Sequence, residues 1–124
     1  VSLHVPATPE TRGSVGMAEF RLMKPGAFFI NTARGEIVVE ADLVAALRDG
    51  LFRGAGLDVF AEEPPAPGHP LLAMDQVIAT PHNAALTQEA MDRMVLHAAM
   101  GIVEVLEGRE PQWPVNRPPR PRGR

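Results

Sequence analysis

The chain has 124 residues, 45% hydrophobic and 22% charged, which places it among ordinary globular proteins able to bury a core. Without cysteine it forms neither disulfides nor thiolate metal sites, and no apolar run approaches the roughly 20 residues a membrane span requires. The net charge of −3 is uneven: four of the 12 basic residues are arginines in residues 117–124, leaving 8 basic against 15 acidic side chains in residues 1–116. That tail holds only Arg, Pro and Gly and is expected to be disordered. No base-reading motif accompanies it, so neither nucleic acid nor membrane is expected as a partner. A cytoplasmic protein without a signal peptide is expected.

Residues 1–5 alternate and end at Pro6, which predicts a strand, although Val1 already lies inside it, as in a piece of something longer. A Pro- and Gly-containing loop follows to Gly13, then a short helix over about 16–23 with Phe20 and Met23 inward. Lys24-Pro25-Gly26 turns the chain into Ala27-Phe28-Phe29-Ile30, a run expected to be a strand buried on both faces. Residues 40–49 predict a helix with acids in its first turn, Leu43, Val44, Ala46 and Leu47 on one face, and Gly50 to end it. Residues 54–60 read as a third strand, 61–68 as irregular and 77–80 as a fourth strand stopped by Pro81. Thr87 caps a long helix to Leu106, whose stripe of Met91, Met94, Val95, Ala98, Ile102, Val105 and Leu106 suffices to bury one side completely. Gly101 within it costs about 1 kcal/mol relative to alanine, which suggests close packing against another element.

Strands alternating with helical connections predict an α/β fold with a parallel sheet. All strand carboxyl ends then share one edge, where such sheets bind ligands. His4-Val5-Pro6, Thr32-Ala33-Arg34, Asp58 with Glu63, and Pro81-His82 would stand on that rim. An arginine there can grip a carboxylate through two parallel N–H···O bonds, though a loop arginine also serves in a surface ion pair. A carboxylate on one ring nitrogen of His82 would fix its tautomer and leave the other nitrogen to exchange a proton. Spacing alone leaves Glu62 and Glu63 as candidates. Arginine, carboxylate and histidine together suit reduction of a 2-oxo acid, with the hydride supplied by a cofactor.

The strings Leu3-His4-Val5-Pro6 with Thr8 and Thr11, Met23-Lys24-Pro25-Gly26-Ala27-Phe28-Phe29-Ile30-Asn31-Thr32-Ala33-Arg34-Gly35, Gly56-Leu57-Asp58-Val59-Phe60-Ala61-Glu62-Glu63-Pro64 and Thr80-Pro81-His82-Asn83-Ala84-Ala85 resemble the D-isomer-specific 2-hydroxyacid dehydrogenases, over residues 1 to about 116. The resemblance implies the second half of a Rossmann-type doubly wound parallel sheet followed by a long interdomain helix. It divides the chain into residues 1–86 (cofactor-domain half), 87–108 (helix), 109–116 with Trp113 (start of the return to a substrate domain) and 117–124 (tail). It implies Arg34 as the substrate-binding and carbonyl-polarising group, Glu63 rather than Glu62 as the histidine's partner, and His82 as general acid/base. Asp58 would contact the nicotinamide carboxamide. Val5, Pro6 and on to Thr11, the Thr32-Ala33-Arg34 turn, and His82 to Ala84 and Ala85 would line the remaining cofactor site. NAD or NADP would be the cofactor, a small 2-oxo or 2-hydroxy acid the substrate, and the parent chain a homodimer.

The family's glycine-rich pyrophosphate turn and its ribose-binding acid do not occur in this sequence. Gly54-Ala55-Gly56 has Val59 where a third glycine belongs and leads into a strand. The chain therefore reads as a C-terminal part with all three catalytic side chains and half a cofactor site, leaving an unpaired strand edge and an uncovered apolar face. Alone, it is expected to bind dinucleotide weakly and to be inactive. Alternatives are a dinucleotide-sensing, corepressor-like interaction protein and a non-functional gene remnant.

Overall fold

A computed structural model describes residues 1–116; the expected disorder of 117–124 lies outside the described residues. The chain divides into two compact units, Val1–Ala84 and a second from Ala85 onward.

The first unit is a parallel sheet of four strands in sequence order: β1 (Ser2–Leu3), β2 (Phe28–Asn31), β3 (Gly54–Leu57) and β4 (Val77–Ala79). β2 and β3 pair in the register Phe29↔Ala55 and Asn31↔Leu57, and β3 meets β4 through Leu57↔Ala79. β1 and β3 are shorter than the expected 1–5 and 54–60, β4 stops one residue earlier than expected at Ala79, and β2 keeps four residues but lies one residue later than expected. The expected first helix is a single turn, α1 (Met17–Phe20), whereas α2 (Glu40–Arg48) matches its pattern and ends before Gly50 at φ +68°. Two 3₁₀ turns, Gly35–Ile37 and Pro70–Ala73, were not legible in the sequence.

The core lies on one face of the sheet. Phe20 of α1 meets Phe29 of β2 edge-on at 5.3 Å, and Phe52 approaches Phe20 at 5.5 Å. Leu43, Val44, Ala46 and Leu47 of α2 pack with them, as the helix pattern predicts. Burial of one such phenylalanine is worth roughly 2–3 kcal/mol, and each well-oriented ring pair about 1 kcal/mol more. The expectation that β2 is buried on both faces is corrected. Phe29 is fully buried, but Phe28 on the opposite face is 50% exposed under the guanidinium of Arg53, and Ile78 of β4 is also exposed. Side chains alternate across a strand, and α1 and α2 cover only the Phe29 side. The uncovered apolar face expected from the sequence is present.

In the second unit, α3 (Gln88–Leu106) begins at Thr87, whose Oγ1 accepts the Ala90 N–H at 3.2 Å, and ends before Gly108 at φ +76°. His97 and Trp113 stack at 4.2 Å, and Arg109 bridges to Glu104 at 3.5 Å. The expectation that the apolar stripe buries one side is not met, since no residue of α3 is buried. A Cβ on Gly101 would meet nothing within 4 Å, so close packing does not explain that glycine. Among the described residues no helix is long and apolar enough to cross a membrane.

Candidate active site

Parallel strands bring their carboxyl ends to one edge, and two cavities open there within the first unit. One, of about 550 Å³, is lined by Asp58, Phe60, Glu63, Pro64, Pro65, Leu72 and residues 79–82. The other, of about 620 Å³, is lined by His4, Val5, Pro6, Ala7, Arg12, Thr32, Ala33, Arg34 and Glu36.

Glu63 is the carboxylate that meets His82: its Oε2 lies 2.7 Å from Nδ1, while its Oε1 accepts the Phe60 N–H at 3.0 Å. The hydrogen bond with His82, aided by the Phe60 amide, holds the Glu63 carboxyl below the ordinary glutamate range. With Glu63 ionised, Nδ1 carries the shared proton and Nε2 remains for exchange. The segment bearing Glu63 is anchored from α2. Glu40 Oε1 accepts the Ala61 N–H at 2.7 Å, and its other oxygen lies 3.3 Å from His69 Nε2. In the sequence Glu40 was legible only as a first-turn acid.

Arg34 is exposed and pairs with no carboxylate among the described residues, so the surface ion-pair reading has no support here; its Nη1 donates to the Ala33 carbonyl at 2.6 Å. The turn that carries it is folded by Asn31, 1% exposed at the end of β2. Asn31 Oδ1 accepts the Ala33 N–H at 3.0 Å and Nδ2 donates to the Arg34 carbonyl at 2.9 Å. A buried amide with both ends satisfied is a turn-forming device, and sequence reading missed it because an Asn at a strand end is common. Gly35 then brings this turn against the neighbouring strand end. A Cβ there would lie 2.0 Å from the Phe60 carbonyl carbon and 2.4 Å from the Ala61 nitrogen.

Thr11 lies off the cavity wall and ties its loop by donating from Oγ1 to the Pro6 carbonyl at 2.7 Å. Arg12 bridges to Glu36 at 2.5 Å, linking that loop to the Arg34 side. Asp58, 4% exposed, accepts from Thr80 Oγ1 at 2.5 Å and from the amides of Asn83 and Ala84, each at 2.9 Å. Burial works against its charge, but the bonds from Thr80, Ala84 and Asn83 outweigh it and hold the carboxyl below the ordinary aspartate range. Ala84 closes the first unit and Ala85 opens the second. Gly54-Ala55-Gly56 is β3 itself, so those glycines form no phosphate turn.

The depressed carboxyls of Glu63 and Asp58 make stability depend on pH. A folded-state pKa below the unfolded one contributes stability that is present above the unfolded value, about 4, and is lost as pH falls through the folded value. Thermal melts are expected to show Tm falling on acidification below about pH 4, with Glu63→Gln flattening part of that fall.

A parallel sheet with helical connections and polar groups gathered at its carboxyl edge is an α/β domain of Rossmann type, which takes ligands at that edge. The chain belongs to the D-isomer-specific 2-hydroxyacid dehydrogenase family: the model of its NAD-binding domain matches residues 1–84. A glyoxylate reductase of Aeropyrum pernix is 46% identical over 117 residues, covering 94% of this chain and 35% of that protein. D-lactate dehydrogenase of Lactobacillus jensenii, solved with NAD+, superposes with a TM-score of 0.83 at 32% identity, covering 94% of this chain and 39% of that one. The NADPH-dependent glyoxylate/hydroxypyruvate reductase of Sinorhizobium meliloti, solved with NADP and malonate, gives 0.83 at 33% identity, covering 92% and 35%. The chain thus spans little more than a third of the length of these relatives.

Proposed function

We propose that this chain supplies the proton-transfer and carboxylate-binding half of an NAD(P)-dependent dehydrogenase that reduces a small 2-oxo acid to its D-2-hydroxy acid. The observation that carries the reading is the 2.7 Å pair of Glu63 and His82 in a cavity at the sheet's carboxyl edge. His82 Nε2 gives a proton to the carbonyl oxygen while Glu63, on Nδ1, holds the ring in place and stabilises its cationic form. Arg34 grips the substrate carboxylate and polarises the carbonyl. Bound nicotinamide dinucleotide would supply the hydride.

The lining suits the nicotinamide end of that cofactor. Val5, Pro6, Thr32 and Ala33 present small side chains and main chain to a flat ring. Three of the roughly four acceptor positions on the Asp58 carboxylate are used, leaving one for a carboxamide N–H. The parent enzyme is read as a cytoplasmic homodimer, with NAD or NADP as cofactor.

The test is a chimera in which residues 1–116 replace the corresponding segment of the Aeropyrum pernix enzyme. NAD(P)H-dependent reduction is expected with at least one of glyoxylate, hydroxypyruvate and pyruvate. A folded chimera that binds the dinucleotide and reduces none of them overturns the proposal.

A further inference from the structure

His82 is the one non-glycine residue with positive φ among the described residues, at +52°. That left-handed conformation is disfavoured for a residue with a side chain and persists where its surroundings hold it. The main chain contributes two bonds, from the His82 N–H to the Thr80 carbonyl at 3.1 Å and from the Thr80 N–H to the Leu57 carbonyl at 2.9 Å. The side-chain bonds that flank the turn converge on one buried carboxylate. Asp58 Oδ1 accepts from the Thr80 hydroxyl two residues before His82 and from the Asn83 amide one residue after it, and Oδ2 accepts from the Ala84 amide. Asp58 is itself fixed to the neighbouring strand, donating its N–H to the Asn31 carbonyl at 3.0 Å. We propose that Asp58 is a positioning residue for His82, clamping both sides of the left-handed turn so that the imidazole is held against Glu63.

This rests on the reading of His82 as the proton carrier for its functional meaning, but its geometry stands separately. A carboxylate suits the task because it only accepts, and all three partners donate. Asparagine at this position would set its own N–H₂ against at least one of them. The clamp differs from a contact with cofactor, since its bonds are made within the protein.

A clamp, a purely electrostatic role and a purely structural role for Asp58 move the Glu63 titration in different ways. Glu63 is held down chiefly by its bond to His82, whereas the charge of Asp58 pushes it up. If Asp58 acts by charge alone, Asp58→Asn lowers the Glu63 titration midpoint further. If it serves only the fold, Tm falls and the midpoint stays. If it clamps the turn, loosening His82 breaks the bond to Glu63 and the midpoint rises toward the ordinary glutamate value. The measurement is a carbon-13 NMR titration of the Glu63 side-chain carboxyl in the full chain, for wild type, Asp58→Asn, Thr80→Val and Thr80→Ser. Thr80→Val deletes one clamp bond and keeps the Asp58 charge; Thr80→Ser keeps both.

The expected result is a rise for Asp58→Asn, a smaller rise for Thr80→Val and none for Thr80→Ser. A fall or no change in Asp58→Asn overturns the proposal, as does a Thr80→Val midpoint equal to wild type. Should Asp58→Asn not fold, the two Thr80 variants decide alone. Turnover does not enter the readout, so a chimera that fails to reduce 2-oxo acids would remove the functional reading and leave this result standing.

Discussion

Gly35→Ala is expected to be the most destabilising single-methyl change in the first unit. The new Cβ would lie 2.0 Å from the Phe60 carbonyl carbon and 2.1 Å from its oxygen, both main-chain atoms that no rotamer change can move aside. Relief requires the turn after Arg34 to withdraw from the end of β3. Overpacking a tight core typically costs 1–3 kcal/mol, and a main-chain collision belongs at or above the top of that range. A cost of about 3 kcal/mol corresponds to a Tm loss on the order of 12 °C or more in a domain of this size. Gly26→Ala is the control, since its Cβ would meet nothing within 4 Å, and its Tm should stay within a few degrees of wild type. A Gly35→Ala melt equal to that control would mean that the turn after Arg34 does not approach the Phe60–Ala61 main chain as closely as described. The same change should disturb the site twice, because Arg34 precedes Gly35 and Glu63 follows Phe60 by three residues.

This coupling explains which parts of the site were legible in the sequence. Arg34, Glu63 and His82 carry chemistry in their side chains and stand just beyond apolar runs, so strand assignment was enough to bring them to one rim. The choice between Glu62 and Glu63 was not open to spacing; it rests in the structure on the main-chain turn that directs Oε2 of Glu63 to the imidazole. Asn31 acts on backbone groups alone, and Glu40 and Asp58 act on backbone amides as well as on one side chain each. A backbone partner has no sequence signature, so their positioning roles became visible only once the turns were placed. The fold was legible in the same measure. The approximate places of the four strands and of α2 followed from periodicity, while the two 3₁₀ turns follow from local geometry that no periodic pattern marks. The stripe on α3 predicted a buried side that the described residues do not show, because periodicity marks an apolar face without supplying what would cover it.

The largest functional effect is expected at the Glu63–His82 pair. In the chimera, His82→Asn should lower kcat/KM for 2-oxo acid reduction by on the order of 10³, within the 10²–10⁴ that a positioned acid–base group typically contributes. Glu63→Gln should cost nearly as much, for a reason that lies in its two oxygens. Oε1 accepts from the Phe60 amide at 3.0 Å and Oε2 lies 2.7 Å from His82 Nδ1, so both must be acceptors when Nδ1 carries a proton. Glutamine has only one acceptor. If its oxygen keeps the Phe60 N–H, its N–H₂ faces Nδ1 and selects the wrong tautomer; if its oxygen turns to Nδ1, two donors face each other at Phe60. Either outcome removes the carboxylate that stabilises the cationic ring. A fall of about 10² or more is therefore expected, and it should appear in kcat, because the substrate carboxylate is assigned to Arg34. Arg34→Lys gives the complementary pattern, with KM rising first as the paired N–H···O bonds are lost. If Glu63→Gln left kcat at the wild-type value, Glu63 would hold the loop without serving the proton, and the acid–base assignment would have to stand on His82 alone.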